Sequence, residues 1–98
     1  MTRDKLRQYR SLKVELQSTS PSEKARRENI QRQLNEIDNW IDSLEDSFAR
    51  RVFDEKYRKG KGTKCPKWDA VAVRVGASES YCKHVHSYWL KKSTFEHV

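Results

Sequence analysis

Ninety-eight residues, 35% hydrophobic and 36% charged, allow one small domain with a thin core built from long helices with solvated faces. The net charge of +7 favours a polyanionic partner. Two cysteines are too few for a disulfide framework, no apolar run is long enough for a bilayer span, and the first residues hold no signal-like apolar run. An intracellular chain with reduced thiols and no membrane partner is expected.

Leu6, Tyr9, Leu12 and Leu16 recur at steps of three and four. This stripe predicts a first helix from Thr2, its N-cap, to about Ser18. The segment Ser20-Pro21-Ser22-Glu23 reads as the start of a second helix, with serine capping, proline at the first position and glutamate at the third. Ile30, Leu34, Ile37, Ile41 and Leu44 then form a heptad seam, and the two helices should make an antiparallel hairpin. The seam has two readings: use within one chain, or a homodimer through Ile30, Leu34, Ile37 and Ile41. Trp40 beside it widens the apolar face toward a third helix.

Between Asp42 and Ser47 two readings stand: the apolar period continues through Leu44 and Phe48, as in one unbroken helix, while Asp46-Ser47 reads as a new N-cap. A break or kink is the favoured one, with a third helix from about Ser47 to Arg58 that buries Phe48, Val52, Phe53 and Tyr57. Residues 59–67 hold two glycines, a proline and four lysines, a basic loop. A fourth helix is expected over Pro66–Val75 and a fifth from Ser78 to Leu90 or Lys92, followed by a frayed tail, Ser93–Val98. No segment reads as strand. The expected fold is all-α: a helical hairpin over residues 1–45 for oligomerisation or protein contact, a three-helix DNA-binding domain over 46–92, and the tail at 93–98.

The segment from Trp68 to Trp89 carries the sharpest signal. Ala72 lies four residues before Gly76, and Cys82 and Val85 follow six and nine residues after it. A small residue permits close helix approach, glycine supplies the turn, and the two apolar positions face back. This spacing suits a helix-turn-helix, with residues 78–90 as the recognition helix in the major groove.

Together with Tyr57-Arg-Lys-Gly60, Trp68-Asp-Ala-Val-Ala72 and Val75-Gly-Ala-Ser78, this region resembles the helix-turn-helix of region 4 in bacterial sigma factors. With Ile41-Asp-Ser-Leu-Glu-Asp46 upstream, residues 37–91 resemble small phage-encoded transcriptional regulators of the ArpU/RinA type. The resemblance implies sequence-specific binding to double-stranded DNA, control of phage or prophage late genes, and residence in the bacterial host cytoplasm at the nucleoid.

Candidate contacts follow from the pattern. With Cys82, Val85 and Trp89 turned inward, Glu79, Ser80, Lys83, His84 and Ser87 face solvent; with Ser78 they are the candidates for base readout. Lys59, Lys61, Lys64, Lys67 and Arg74 are the candidates for phosphate contact. Residues 1–20 hold five basic and two acidic side chains, residues 21–46 four and seven, and residues 47–98 twelve and five. The basic surplus thus lies mainly with the last segment. The acidic middle, with Asp38, Asp42, Glu45 and Asp46, suits a solvated face or a protein contact.

Cys65, Cys82, His84 and His86 lack zinc-site spacing and read as a core cysteine with two surface histidines, so no metal or other cofactor is expected. Trp40, Trp68, Tyr81, Tyr88 and Trp89 read mostly as core. No nucleophile–base set is present, and an enzyme is not expected. Two alternatives compete with the DNA-binding regulator: a helical adaptor acting on RNA polymerase or its sigma factor, and a small terminase-type packaging subunit.

Overall fold

The computed structural model describes residues 1–60 and 62–96 and is all-helical, with no strand among the described residues. Among the described residues seven helical segments occur in chain order: α1 (Arg3–Arg7), α2 (Tyr9–Ser18), α3 (Lys24–Asp42), α4 (Ser47–Phe53), a π-helical turn (Asp54–Arg58), α5 (Trp68–Val75) and α6 (Glu79–Glu96). The extents, 45 × 33 × 19 Å, leave room for about two helix diameters in the thinnest direction. One apolar cluster runs through the chain, from Leu6 and Ile37 through Phe53 and Val71 to Val85. It crosses the Ser43–Asp46 turn at which the two expected domains would divide.

Local capping chemistry explains several boundaries. Thr2 Oγ1 accepts the Lys5 amide at 3.2 Å, and Asp4 in the first turn suits the positive end of the helix dipole. Asp46 Oδ1 accepts the Phe48 amide at 3.0 Å and opens α4 after the predicted break. Ser78 Oγ accepts the Tyr81 amide at 3.2 Å and caps α6. Between α5 and α6, Gly76 sits at φ +73°, and the amides of Gly76 and Ala77 both donate to the Ala72 carbonyl, at 2.9 and 3.1 Å. A β-carbon on Gly76 would meet nothing within 4 Å. The turn therefore demands glycine for its left-handed backbone and not for space.

Four boundaries differ from the sequence reading. The first helix is interrupted at Gln8, without glycine or proline to mark it; α1 and α2 bury Leu6, Tyr9 and Leu12 on either side. The second begins at Lys24, a turn later than the Ser20-Pro21-Ser22-Glu23 capping pattern predicts. Ser20 is engaged locally instead: its hydroxyl accepts the Ser22 amide at 3.3 Å and its carbonyl accepts the Glu23 amide at 3.0 Å. Arg27 Nη1 then reaches back to the carbonyls of Leu16 and Thr19, at 3.1 and 2.8 Å, and closes the end of α2. The fourth helix starts at Trp68 and not at Pro66, whose carbonyl accepts the Lys56 ammonium at 2.6 Å. The last helix continues past Lys92 to Glu96, where a frayed tail was expected. Ser93 is buried and accepts Trp40 Nε1–H at 2.9 Å. Residues 97 and 98 lie outside the described residues.

The seam residues Ile30, Leu34, Ile37 and Ile41 are all within 3% of full burial inside the single chain, where α2 packs along α3. A homodimer through these four residues would require the core to open. Trp40 turns from the seam to the next helix, meeting Phe53 edge-to-face at 5.0 Å.

Polar contacts lock α3 to the π-turn. Arg58, with its side chain 18% exposed, donates to Asp38 Oδ1 at 3.0 Å and Asp42 Oδ1 at 2.9 Å, and also pairs with Asp54. Tyr9 of α2 donates to the same Asp38 oxygen at 2.8 Å. Burial alone would lower the Arg58 pKa, but hydrogen bonds to Asp42, Asp54 and Asp38 outweigh it and raise the value. Asp38 and Asp42 are therefore internal ligands of Arg58, and Asp46 is a helix cap. Of the four acidic residues read as a solvated or protein-binding face, only Glu45 has no such task.

Replacing Arg58 by Met should leave three carboxylates without their cation and cost about 2–4 kcal/mol. Thermal melting should show a fall on the order of 10 °C. Asp42→Asn should cost below about 1 kcal/mol, because the Asp42 side chain is 63% exposed and solvent screens its share.

Candidate nucleic-acid interface

The exposed face of α6 is defined by what its other face buries. Cys82 and His86 are at 0% and 1% exposure and Val85 at 6%. At helical spacing this turns Glu79, Ser80, Lys83 and His84 outward, while Ser87 is half-buried. Ser78 is exposed as well, though its hydroxyl already accepts the Tyr81 amide. Lys83 Nζ stands 3.0 Å from Glu79 Oε1, so this lysine and this glutamate form one neutral pair in the free protein. Trp89 is half-buried. Tyr81 and Tyr88, read as core, are each 52% exposed.

The phosphate candidates divide into two groups. Lys59 and Arg74 converge on one carboxylate, Glu55, at 3.2 and 3.7 Å. Lys64 and Lys67 are exposed and have no acidic partner among the described residues. Lys61 lies outside the described residues. The loop is anchored at its start by Arg10, a 95%-buried residue whose guanidinium donates to the Lys59 carbonyl. Gly60, at φ +94°, would bring a β-carbon to 3.0 Å from Arg10 Nη1, so conformation and proximity both select glycine there.

His86 is the main correction to the reading of this segment. It is not a surface histidine. Its ring stacks on Phe53 at 5.1 Å, meets Trp68 edge-on at 5.0 Å and lies 2.6 Å from the Tyr57 hydroxyl through Nε2. Burial pushes the His86 pKa down to about 4, helped by the positive charges of Arg3, Lys56 and Arg7. Burial pushes the Tyr57 hydroxyl up to about 12. At neutral pH both groups are therefore uncharged and share one hydrogen bond between the Tyr57 hydroxyl and His86 Nε2. Cys82 is likewise held as a thiol by burial. Among the described residues, no three His, Cys, Asp or Glu side chains gather as a cation site. No helix among them is long and apolar enough to cross a membrane.

Sequence reasoning missed three basic residues beside α6. Arg3 and Arg7 of α1 and Lys56 of the π-turn line a pocket of about 440 Å³ together with Trp68, Lys83 and Ser87. Tyr57, His86 and Cys65 complete its wall. Lys56 Nζ also sits 4.7 Å over the Trp68 ring. Burial lowers the Lys56 pKa, and Arg7, Arg10 and Arg3 add to this while Cys65 acts in the opposite direction. The i, i+4 spacing of Arg3 and Arg7 was visible in the sequence, but only the packing of α1 brings it next to α6.

Comparison with protein-family models, curated proteins and solved structures finds no match to this chain.

Acid should expose the His86 constraint. Above pH 6.5 the imidazole is neutral in both folded and unfolded chains and contributes no pH dependence. Between pH 6.5 and 4 the unfolded chain gains a proton that the folded chain refuses, so stability falls as pH falls. The loss should approach about 3 kcal/mol by pH 4. His86→Gln keeps a hydrogen-bonding group for Tyr57 but does not titrate. Urea midpoints from pH 7.5 to 4 should fall less steeply for this variant than for the parent.

Proposed function

We propose that this protein is a non-enzymatic, double-stranded DNA-binding transcriptional regulator that reads sequence with residues 78–90. The observation that carries this reading is the α5–α6 pair. Two helices meet at a tight turn held by Gly76, and the second presents Glu79, Ser80, Lys83, His84 and Ser87 on the side away from Cys82 and Val85. A three-residue turn between helices is the signature of a helix-turn-helix, and polar side chains early in the second helix are the ones that reach base edges.

Lys83 suits a guanine edge or a phosphate, and Glu79 accepts from cytosine N4. Breaking their 3.0 Å pair on binding would let each select its own base, and a wrong base would leave one charge unpaired. Lys64 and Lys67, exposed and without an acidic partner among the described residues, are the side chains expected to follow the phosphate backbone without reading sequence. The resemblance of residues 37–91 to ArpU/RinA-type regulators supports a role in phage or prophage late-gene control. Asp38 and Asp42 of the acidic stretch are turned to Arg58, which leaves less of that stretch for a protein contact.

Selection of a preferred site from random duplexes, followed by binding measurements on the variants, tests the proposal. Lys83→Ala and His84→Ala should each cost roughly 1–3 kcal/mol on the selected site and relax preference at one position. Lys64→Gln with Lys67→Gln should weaken all duplexes alike and lower the salt slope by about two. Unchanged preference in both α6 variants would remove α6 as the reader.

A further inference from the structure

We propose that the pocket bounded by Arg3 and Arg7 of α1, Lys56 of the π-turn and Lys83 and Ser87 of α6 binds a phosphate group. Four cationic side chains from three elements line it, and none of its lining residues is a carboxylate. Several cations elsewhere in the chain are paired with carboxylates. Lys5 meets Glu36, Arg26 meets Glu15, Arg58 meets three aspartates, and Lys59 and Arg74 share Glu55.

Of the four cations at the pocket, Lys83 is paired, with Glu79 at 3.0 Å, while the other three have a long acidic contact or none. Arg3 has no acidic partner among the described residues. Arg7 has a single contact, with Asp4 at 3.8 Å, and the Asp4 side chain is 90% exposed. The Lys56 ammonium is held only by neutral groups, the Pro66 carbonyl at 2.6 Å and the Trp68 ring at 4.7 Å. Like charges gathered in one concavity repel each other, and a bound anion removes that cost.

The chemistry of the donors selects phosphate among anions. Two guanidinium forks offer paired N–H donors that match phosphate oxygens, and Lys56 is a point charge already positioned by Pro66 and Trp68. Ser87 adds a hydroxyl. A volume of about 440 Å³ exceeds that of one phosphate and lies in the range of small-ligand sites. The phosphate can therefore belong to a DNA backbone or to a free phosphorylated molecule. The first source rests on the DNA-binding reading of α6 and extends its footprint onto α1; the second does not depend on it.

The test uses the full chain and the double variant Arg3→Gln/Arg7→Gln. Both arginines are exposed, so circular dichroism melting should match the parent. Arg32→Gln, an exposed basic residue on α3, is the control. One arm titrates tripolyphosphate and ATP at constant ionic strength, following backbone amide resonances. The other measures random duplex DNA binding against salt. Loss of these contacts should weaken phosphate binding by about tenfold per arginine, or lower the DNA salt slope by about two, with the control unchanged in each arm. An effect on DNA alone assigns the pocket to the backbone; an effect on tripolyphosphate or ATP alone assigns it to a small ligand. If the parent binds no duplex, the α6 reading fails while the polyphosphate arm still decides the pocket. The pocket proposal is overturned if the double variant matches the control in both arms, or if the parent binds none of the probes.

Discussion

The arrangement of this protein depends on one guanidinium. Arg58 sits at the end of a π-helical turn and holds Asp38 and Asp42, one helical turn apart on α3, together with Asp54 from its own turn. The i, i+4 spacing of the two α3 aspartates lets both reach one planar donor. Tyr9 joins the same Asp38, so α2 is registered against α3 at the point where α3 meets the π-turn. Arg10, next in sequence, holds the Lys59 carbonyl, and the basic loop starts from a fixed point. With α2 fixed in this way, α1 is carried to the side of α6, and Arg3 and Arg7 arrive beside Lys56 and Lys83.

A second layer of order comes from the rings. Phe53, Tyr57, Trp68 and His86 form a connected set with centroid separations between 5.0 and 6.1 Å. His86 touches the other three and ties α6 to α4, the π-turn and α5 at once. The π-turn matters here as well as at Arg58. Its wider hydrogen-bonded ring displaces the following side chains by one residue relative to an α-helix. Tyr57 then reaches the core while Lys56 and Arg58 point to separate polar sites. The orientation of α6, and with it the set of side chains offered to a partner, follows from this aromatic packing.

The distribution of paired and unpaired charge is more informative than the net value. In the middle segment Asp38 and Asp42 are committed to Arg58 and Asp46 to a cap, so these three carboxylates are not available to the other cations of the last segment. Among the described residues, Arg3 and Lys56 at the α1–α6 pocket and Lys64 and Lys67 on the loop are cations without an acidic partner. Those are the places where an anionic partner gains most, since binding removes repulsion in addition to forming contacts.

Features governed by neighbours within a turn or two were legible in the sequence. The all-helical class, the apolar stripes, the caps at Thr2 and Asp46, the break after Asp42 and the left-handed turn at Gly76 all follow from side-chain periodicity and local hydrogen bonding. The exposure of Glu79, Ser80, Lys83 and His84 on α6 followed as well, because Cys82 and Val85 fix its inner side, but that of Tyr81 and Tyr88 did not. Tertiary structure alone decided the burial of His86, the capture of Asp38 and Asp42 by Arg58, and the meeting of Arg3, Arg7 and Lys56. Each of these joins residues from different elements. A histidine or an aspartate is polar by composition, and whether it faces water or a partner depends on which distant side chain packing brings within about 3 Å. Periodicity reports which side of a helix is apolar; it does not report what stands opposite.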